Sequence, residues 1–320
     1  MRLALVGYGY VGRAFARLLA KKRSAYPFRI TGIHTLRQGT AIDPHGLPPD
    51  PKFGPRAPDI DEFLAGAQAE VMIEATTLEP ATGEPAISHI RAAFRRGLHV
   101  VTANKGPIAH AYRSLCEEGR RCGVEFRFES ICMDGAPVFN LVRNNLPGVH
   151  VLGFTGVLNS TSKIVIGAMR EGLSMRDGIE RARRMGITEA DASYDIEGWD
   201  SAAKTAALAN VLMDAAVTPA DVERRGIGRI TPERLQKLAA ERKTICLVSR
   251  ARIAAGRLRL RVRGEVLDEA DVLASVHGTS NLLLLHTDLM GTVGTVSINP
   301  GVDQTAYGIF SDVVDIARTI

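Results

Sequence analysis

The sequence is poor in the residues that mark a secreted or membrane-bound protein. Its 320 residues include four cysteines, none in a Cys-x-x-Cys pair, so a disulfide framework is excluded and reduced thiols in the cytoplasm are expected. The longest apolar runs, such as residues 282–285, fall far short of the ~20 residues that span a bilayer. Glycines follow the first apolar segment at once, which leaves no room for a secretory signal peptide. We therefore expect no membrane partner.

A block of charge of one sign is also lacking. The net charge is +5 and the pI is about 9.1, but the positive charges are scattered arginines. We therefore expect no nucleic-acid partner. The hydrophobic content of 45% and the charged content of 23% exclude a disordered chain, and the length favours two domains of about 150 residues each.

Short apolar strands alternate with helical patterns in the N-terminal third. Strands are predicted at residues 2–6, 28–33, 71–75 and 99–102, and helices at residues 11–22 and 89–96. This alternation predicts a parallel sheet with helices on both faces. Five prolines within residues 45–58 predict an exposed loop.

The pattern changes after about residue 130. A strand at residues 149–158 opens a second region, with helical spacing at residues 175–185, 199–213 and 232–242. Thr231-Pro232 and Thr218-Pro219 predict helix starts. Arginines at alternate positions of residues 257–263 predict a half-exposed strand, whose outer face is either solvated, as we favour, or anion-binding.

A glycine-rich loop joins the first strand to the first helix. Gly7 would allow the tight turn, Gly9 would let the backbone approach a pyrophosphate, and Gly12 would let the helix pack closely on the strand. The second strand ends without the carboxylate that holds the ribose of NAD. Arg37 follows it and either meets the 2′-phosphate of NADP, which we modestly favour, or is a solvated loop residue.

Two lysines lie where chemistry is expected. Only eight of the 40 basic residues are lysines, and a lysine can exchange a proton near neutral pH whereas an arginine cannot. Lys105 is predicted in a turn just beyond a strand of the nucleotide-binding sheet, where ligands bind. Lys204 lies four residues after Asp200 on a predicted helix, so the two are either a surface ion pair or a functional pair.

An acidic segment shortly precedes Lys204. It contains Glu189, Asp191, Asp195, Glu197 and Asp200. Composition alone favours a solvated acidic loop, and the sharper alternative is a cluster that holds the ammonium group of an amino-acid substrate.

Taken together, several segments resemble homoserine dehydrogenases. They are residues 7–12, 74–77, 102–107, 158–162 and 186–204, together with Gly301 and the residues after it. The resemblance implies an α/β fold with an N-terminal Rossmann-type parallel-sheet domain over residues 1–130. It also implies an α+β catalytic and dimerisation domain over residues 131–300 and a C-terminal helix over residues 301–320 that returns to the first domain.

The same resemblance implies the reaction and its residues. The reaction is the NAD(P)-dependent interconversion of L-homoserine and L-aspartate 4-semialdehyde by a homodimer, on the route to threonine and methionine. Lys204 would exchange the proton, Lys105 would assist it, and Asp200 would orient Lys204. The two lysines would meet across a cleft between the domains.

The resemblance also assigns residues to each ligand. Those expected to hold the substrate are Thr161, Glu189, Asp195 and Asp200. Those expected to contact the cofactor are Gly7, Gly9, Tyr10, Val11, Gly12, Arg37, Thr76, Thr77, Thr102, Ala103, Asn104, Lys105 and Gly301. A monovalent cation such as sodium is expected near Glu129, Cys132 and Asp134, held largely by backbone oxygens.

Three departures from the family pattern leave other functions open. Asp134 lies in a run that is usually glycine-rich, Lys163 replaces a common asparagine, and residues 299–303 contain fewer glycines than usual. A relative that acts on another amino or hydroxy acid is therefore the second hypothesis. A cofactor-binding sensor without turnover is the third, and the two lysines and Asp200 disfavour it. The regulatory domain by which many relatives sense threonine is not seen, so we expect no inhibition by threonine.

Overall fold

The computed structural model of the chain describes residues 1–188 and 191–320. Its strands are β1 (Arg2–Val6), β2 (Arg29–Thr35), β3 (Gly39–Ile42), β4 (Val71–Glu74), β5 (His99–Thr102), β6 (Phe126–Arg127), β7 (Val151–Val157), β8 (Glu223–Arg225), β9 (Lys243–Ala254), β10 (Arg257–Asp268), β11 (Asn281–Thr287) and β12 (Thr292–Ser297). Its helices are α1 (Tyr10–Lys22), α2 (Ile60–Ala67), α3 (Ala86–Arg95), α4 (Lys105–Arg121), α5 (Ser160–Arg170), α6 (Met175–Arg184), α7 (Ser193–Ile196), α8 (Trp199–Leu212), α9 (Pro232–Ala240) and α10 (Val302–Thr319). In the described ranges, no helix is long and apolar enough to cross a membrane.

The first compact unit comprises residues 1–140 and 301–320. Its six-stranded sheet has the order β3-β2-β1-β4-β5-β6, and every neighbouring pair is parallel except β2 with β3. Leu3, Ala4 and Leu5 of β1 are all fully buried, because a central parallel strand is covered on both faces. The predicted parallel sheet is thus confirmed, and the antiparallel edge strand β3 was not predicted.

Helices α1 and α10 pack together in the core of this unit. Phe15 of α1 is fully buried with Ile309 and Val313 of α10, in one cluster with Ile33 of β2. Burying a side chain of this size contributes roughly 1.5–3 kcal/mol, so the C-terminal helix is an integral part of the first unit.

The boundary between the units lies ten residues later than the sequence suggested. Residues 131–140 belong to the first unit because the Glu129 carboxylate accepts hydrogen bonds from the backbone N–H groups of Phe139 at 2.9 Å and Asn140 at 2.7 Å. The backbone N–H of Glu129 in turn donates to Asp312 of α10 at 2.7 Å. These buried bonds tie the segment to the first unit, and no composition change marks them.

The second compact unit comprises residues 141–300. Its six-stranded sheet has the order β12-β11-β7-β9-β10-β8, and its pairs are antiparallel except β8 with β10. Helix α8 is buried nearly all round: Ala202, Ala203, Ala206 and Ala207 are almost inaccessible. Small side chains let this helix lie close to the sheet, which fixes Lys204 within the unit.

The arginine-rich strand β10 is half-exposed, as its alternating pattern predicted. Two of its four alternating arginines share one carboxylate: Glu265 lies 3.4 Å from Arg261 and from Arg263, and it also pairs with Arg250 of β9 at 2.8 Å. Burial raises the pKa of Glu265, but the hydrogen bonds and charges of Arg250 and Arg263 outweigh it and the pKa is lowered. The last two of these arginines thus belong to an ion-pair network, whereas the first two are exposed, as a solvated face predicts.

Two local predictions need correction, and one helix was not predicted. Lys105 is the first residue of α4 and does not lie in a turn, because Asn104 caps the helix directly after β5. Thr218-Pro219 begins only a single 3₁₀ turn, Pro219–Asp221. Helix α2 after the proline-rich loop was not predicted, although Asp59 caps it by accepting from the backbone N–H of Glu62.

Candidate active site

The glycine loop between β1 and α1 leaves no room for side chains at two positions. Gly7 has a φ of +97°, and a Cβ on it would lie 2.4 Å from the carbonyl oxygen of Ala75. A Cβ on Gly12 would lie 2.9 Å from the Gly7 carbonyl oxygen. Both positions require glycine for reasons internal to the fold.

Gly9 has no such internal constraint. Among the described residues, no atom lies within 4 Å of the position of its Cβ, and no side chain caps the first turn of α1 that follows it. Tyr10 is 87% exposed and Val11 is half-buried. An open glycine at an uncapped helix N-terminus fits the pyrophosphate of a dinucleotide, which approaches the backbone closely and is bound by its N–H groups.

Buried Glu74 connects the loops that follow β4 and β5. Its carboxylate accepts hydrogen bonds from the Thr76 hydroxyl and, at 3.3 Å, from the Thr102 hydroxyl. Thr102 is fully buried, so we expect it to support the loops rather than touch the cofactor. Thr76 is half-buried and Thr77 is exposed at the same edge of the sheet as the glycine loop, because the carboxyl ends of parallel strands share one edge.

Asn104 positions the start of α4. Its Oδ1 accepts from the backbone N–H of Gly106 at 2.9 Å, and its Nδ2 donates to the carbonyl oxygen of Thr76 at 3.3 Å. Asn104 is buried, whereas Ala103 and Lys105 on either side of it are partly exposed. Asn104 therefore joins the loop after β4 to the loop after β5 by hydrogen bonds, and it places Lys105 at the edge of the candidate nucleotide site.

Arg37 lies in the turn between β2 and β3. The turn is closed by the Thr35 hydroxyl, which donates to the carbonyl oxygen of Gly39 at 3.1 Å and accepts from the backbone N–H of Gln38 at 2.8 Å. Arg37 itself is exposed at the end of β2, the strand end that meets the ribose of a bound dinucleotide in sheets of this type.

The start of α10 packs on the segment predicted to bind a cation. Gly301 caps the helix, the Ser130 hydroxyl donates to the carbonyl oxygen of Thr305 at 2.9 Å, and the Thr305 hydroxyl donates to Asp134 at 3.3 Å. Within the described ranges, no group of three or more His, Cys, Asp or Glu side chains could hold a metal ion. The Glu129 carboxylate binds backbone N–H groups and Cys132 is buried, so the cation remains a prediction that depends on backbone oxygens.

In the second unit, Lys204 contacts a backbone carbonyl and a carboxylate. Its ammonium donates to the carbonyl oxygen of Leu158 at 2.7 Å and lies 3.1 Å from the Asp200 carboxylate. Both charged side chains are 15% exposed. Asp200 and Lys204 therefore pair in a sheltered position rather than on the open surface, and the function of the pair stays a prediction.

Two more predicted substrate residues lie in the same cluster. Asp195 accepts a hydrogen bond from the Thr161 hydroxyl at 2.8 Å and from Thr188 at 3.2 Å. Asn159 donates to Asp195 at 2.6 Å and to Asp200 at 3.0 Å. In the described part of the chain, the cluster thus combines the Lys204 ammonium with two carboxylates, which neutral donors fix in place.

Asp195 is electrostatically unusual. Burial raises its pKa, the nearby Asp200 carboxylate raises it further, and the hydrogen bonds from Asn159 and Thr161 and the charge of Lys204 only partly oppose this. A carboxylate in this state gains stability from a cation, because a positive partner favours its ionised form. It is therefore suited to receive the ammonium group of an amino acid.

Three other residues singled out from the sequence are Glu189, Lys163 and Lys105. Glu189 lies outside the described residues. Lys163, one of the departures from the family pattern, donates to Asn281 of β11 at 3.0 Å. Lys105 and Lys204 belong to different compact units, and their meeting stays a prediction.

Sequence reasoning missed the roles of Glu74, Asn159 and Thr188. Each lay inside a recognised segment without an assigned function. For Asn159 a local signal existed, since asparagine between a strand and a helix is a preferred N-cap. No sequence pattern indicates its contacts with Asp195 and Asp200, which lie 36 and 41 residues later in the chain.

Comparison with known proteins covers nearly the whole chain. Residues 137–314 match the model of the homoserine dehydrogenase family, and residues 7–129 match the model of the homoserine dehydrogenase NAD-binding domain. The chain belongs to the homoserine dehydrogenase family. The homoserine dehydrogenase of Methanocaldococcus jannaschii is 35% identical, over 99% of this chain and 98% of its own. The NAD(+)-dependent homoserine dehydrogenase of Pseudomonas canavaninivorans is 34% identical, over 99% of this chain and 96% of its own.

Solved structures agree with this assignment. The crystal structure of homoserine dehydrogenase from Thermoplasma acidophilum superposes with a TM-score of 0.88 at 25% identity, over 99% of both chains. As a homoserine dehydrogenase, the chain is an oxidoreductase that acts on a CH–OH group of a small molecule with a nicotinamide cofactor.

Proposed function

We propose that this homoserine dehydrogenase interconverts L-homoserine and L-aspartate 4-semialdehyde, on the route to threonine and methionine, with Lys204 as the proton-transferring residue. The proposal depends on the surroundings of the Lys204 ammonium, which contacts a backbone carbonyl oxygen and the Asp200 carboxylate. The side chains of Lys204 and Asp200 are each only 15% exposed. A lysine in a sheltered site can release and regain a proton during a reaction, which an arginine cannot do.

The remaining groups are assigned by their chemistry. The bound nicotinamide supplies hydride transfer. Lys204 gives its proton to the aldehyde oxygen in reduction and takes the hydroxyl proton in oxidation, with Asp200 orienting it and Lys105 assisting. Asp195 binds the substrate ammonium: three donors occupy its oxygens in the described part of the chain, and a carboxylate accepts about four. Thr161 and Glu189 complete the substrate contacts.

The experiment is a steady-state assay with L-homoserine and either NADP or NAD. The matched control substrate is 4-hydroxybutyrate, which keeps the terminal alcohol and the carboxylate but lacks the ammonium. We expect turnover of homoserine and a kcat/KM for the control lower by about 10²-fold or more, because Asp195 would be left without its cation. Turnover of a different hydroxy acid alone would support the second hypothesis, and cofactor binding without turnover would support a sensor.

We further propose NADP as the preferred cofactor, with Arg37 binding the 2′-phosphate. Its exposed position at the end of β2 supports this role. Arg37→Ala is expected to lower kcat/KM with NADP by about 10- to 100-fold and to leave NAD kinetics unchanged, since a charge-assisted hydrogen bond contributes about 1.5–3 kcal/mol. The control is Arg23→Ala, because Arg23 is an exposed arginine at the C-terminal end of α1, far along the chain from the glycine loop. If Arg37→Ala also leaves NADP kinetics unchanged, Arg37 is a solvated loop residue.

We also propose a homodimer formed through the sheet of the second unit. Exposed apolar side chains at the β11–β12 end of that sheet support it: Leu289, Met290, Val296 and Ile298 are each more than half exposed. Light scattering should give twice the mass of the chain, and a monomer would refute the proposal.

A sodium ion held by backbone oxygens of residues 129–136 is a separate proposal. The segment is fixed against α10, because the Thr305 hydroxyl donates to the Asp134 side chain and the Ser130 hydroxyl donates to the carbonyl oxygen of Thr305, and fixed backbone oxygens suit a cation. Activity should then differ between sodium and a bulky organic cation at equal ionic strength, and equal activity would refute it.

A further inference from the structure

We infer that Asn159 is a positioning residue, whose side-chain amide keeps Asp195 and Asp200 apart and aimed at their separate tasks. The inference deepens the proposed function and rests on it for the catalytic consequence. Asn159 is 3% exposed and lies at the junction of β7 and α5. It is the one residue of the cluster that touches both carboxylates among the described contacts.

Both the nitrogen and the oxygen of the Asn159 side-chain amide make hydrogen bonds. Nδ2 donates to Asp195 at 2.6 Å and to Asp200 at 3.0 Å, which uses both of its hydrogens. Oδ1 accepts from the backbone N–H of Ser162 at 2.7 Å, and the Asn159 carbonyl oxygen accepts from the Ser162 hydroxyl at 3.0 Å. The reversed amide would place an oxygen against two carboxylates and an NH₂ against an N–H, so only one orientation is compatible with its surroundings.

Two consecutive residues, Leu158 and Asn159, therefore contact all three charged groups described in the cluster. The carbonyl oxygen of Leu158 holds the Lys204 ammonium, and the next residue holds the two carboxylates that flank it. Without the amide, Asp195 and Asp200 would lose the donor that they share, and the repulsion between their charges would be less well compensated. Each would then compete for that ammonium, and Lys204 would lose its defined geometry.

The role as an N-cap has to be separated from the role in the cluster. Oδ1 caps α5, and a serine at this position retains that bond because serine is among the preferred N-cap residues. The serine hydroxyl is too short to reach both carboxylates. Asn159→Ser therefore removes the bridge and keeps the cap. Thr231→Ala removes the cap of α9, and Thr231 does not touch Lys204, Asp195 or Asp200 among the described contacts, so it is the matched control.

The first readout is kinetic. We expect Asn159→Ser to lower kcat by about 10- to 100-fold with homoserine, because two charge-assisted hydrogen bonds that position the cluster are lost. The acid limb of the kcat/KM profile should move up by about one pH unit, since hydrogen bonds to a carboxylate favour its ionised form. Among the described residues, the charged groups that act on Asp195 are Asp200 and Lys204. Thr231→Ala should lower the melting temperature with the kinetics unchanged.

The second readout does not need turnover. Carboxyl-carbon NMR of Asp195 follows its titration directly, so it tests the bridge even if homoserine is not the substrate. A higher midpoint for Asp195 in Asn159→Ser than in the wild type is expected. Unchanged kinetics together with an unchanged Asp195 titration would overturn the inference, and they would reduce Asn159 to a helix cap.

Discussion

Replacing Lys204 by alanine is expected to lower kcat by about 10²- to 10⁴-fold, the range typical of a positioned general acid or base. The cofactor should still bind, because the glycine loop proposed to hold its pyrophosphate is unaltered in this variant. The neighbouring Asp200 would lose its partner at 3.1 Å, so some loss of stability is also expected. Steady-state kinetics with homoserine and fluorescence titration of the reduced cofactor measure the two effects.

Lys237→Ala is the matched control for this variant. Lys237 is an exposed lysine on α9, so its removal changes the charge of the protein by the same amount without touching the cluster. Its kcat should equal that of the wild type. A Lys204→Ala enzyme that retains wild-type kcat would remove this lysine from the chemistry.

Alanine at Gly7 is expected to lower stability, whereas alanine at Gly9 is expected to lower cofactor affinity. Gly7→Ala must adopt a φ of +97° and places a Cβ 2.4 Å from a backbone oxygen, so the free energy of unfolding should fall by at least about 2 kcal/mol. Gly9→Ala meets no atom within 4 Å of its Cβ among the described residues, so stability should be preserved. Its dissociation constant for NADP should nevertheless rise about tenfold or more, equivalent to about 1.4 kcal/mol, because the Cβ occupies the space of the pyrophosphate.

Denaturant unfolding and cofactor titration of both variants separate these effects. The pair is informative because the two substitutions are chemically identical and lie two residues apart. Equal stabilities for the two variants would contradict the steric account of Gly7. Unchanged NADP affinity in Gly9→Ala would contradict the placement of the pyrophosphate.

The elements of the active site that depend on local patterns could be predicted from the sequence. The strand, glycine loop and helix at residues 2–22 follow from apolar runs and glycine spacing. The pairing of Asp200 with Lys204 follows from a spacing of four on a helix. Both are relations between residues close in the chain, and the structure confirms them.

The relations that join distant residues could not be predicted in this way. Asn159 meets carboxylates 36 and 41 positions later, and Glu74 receives a hydrogen bond from Thr102, 28 positions later. The observed domain boundary differs from the predicted one for the same reason, because the Glu129 carboxylate accepts hydrogen bonds from the backbone of residues 138–140. Nothing in composition or periodicity reports such contacts, since they depend on how separate elements pack.

The most direct measurement is single-turnover hydride transfer by Lys204→Arg with NADP and L-homoserine. Arginine keeps the positive charge beside Asp200 but cannot release a proton near neutral pH. If Lys204 transfers the proton, the rate should fall by about 10²-fold or more, as in the alanine variant. A rate close to that of the wild type would show that a fixed positive charge is sufficient, and it would contradict proton transfer by Lys204.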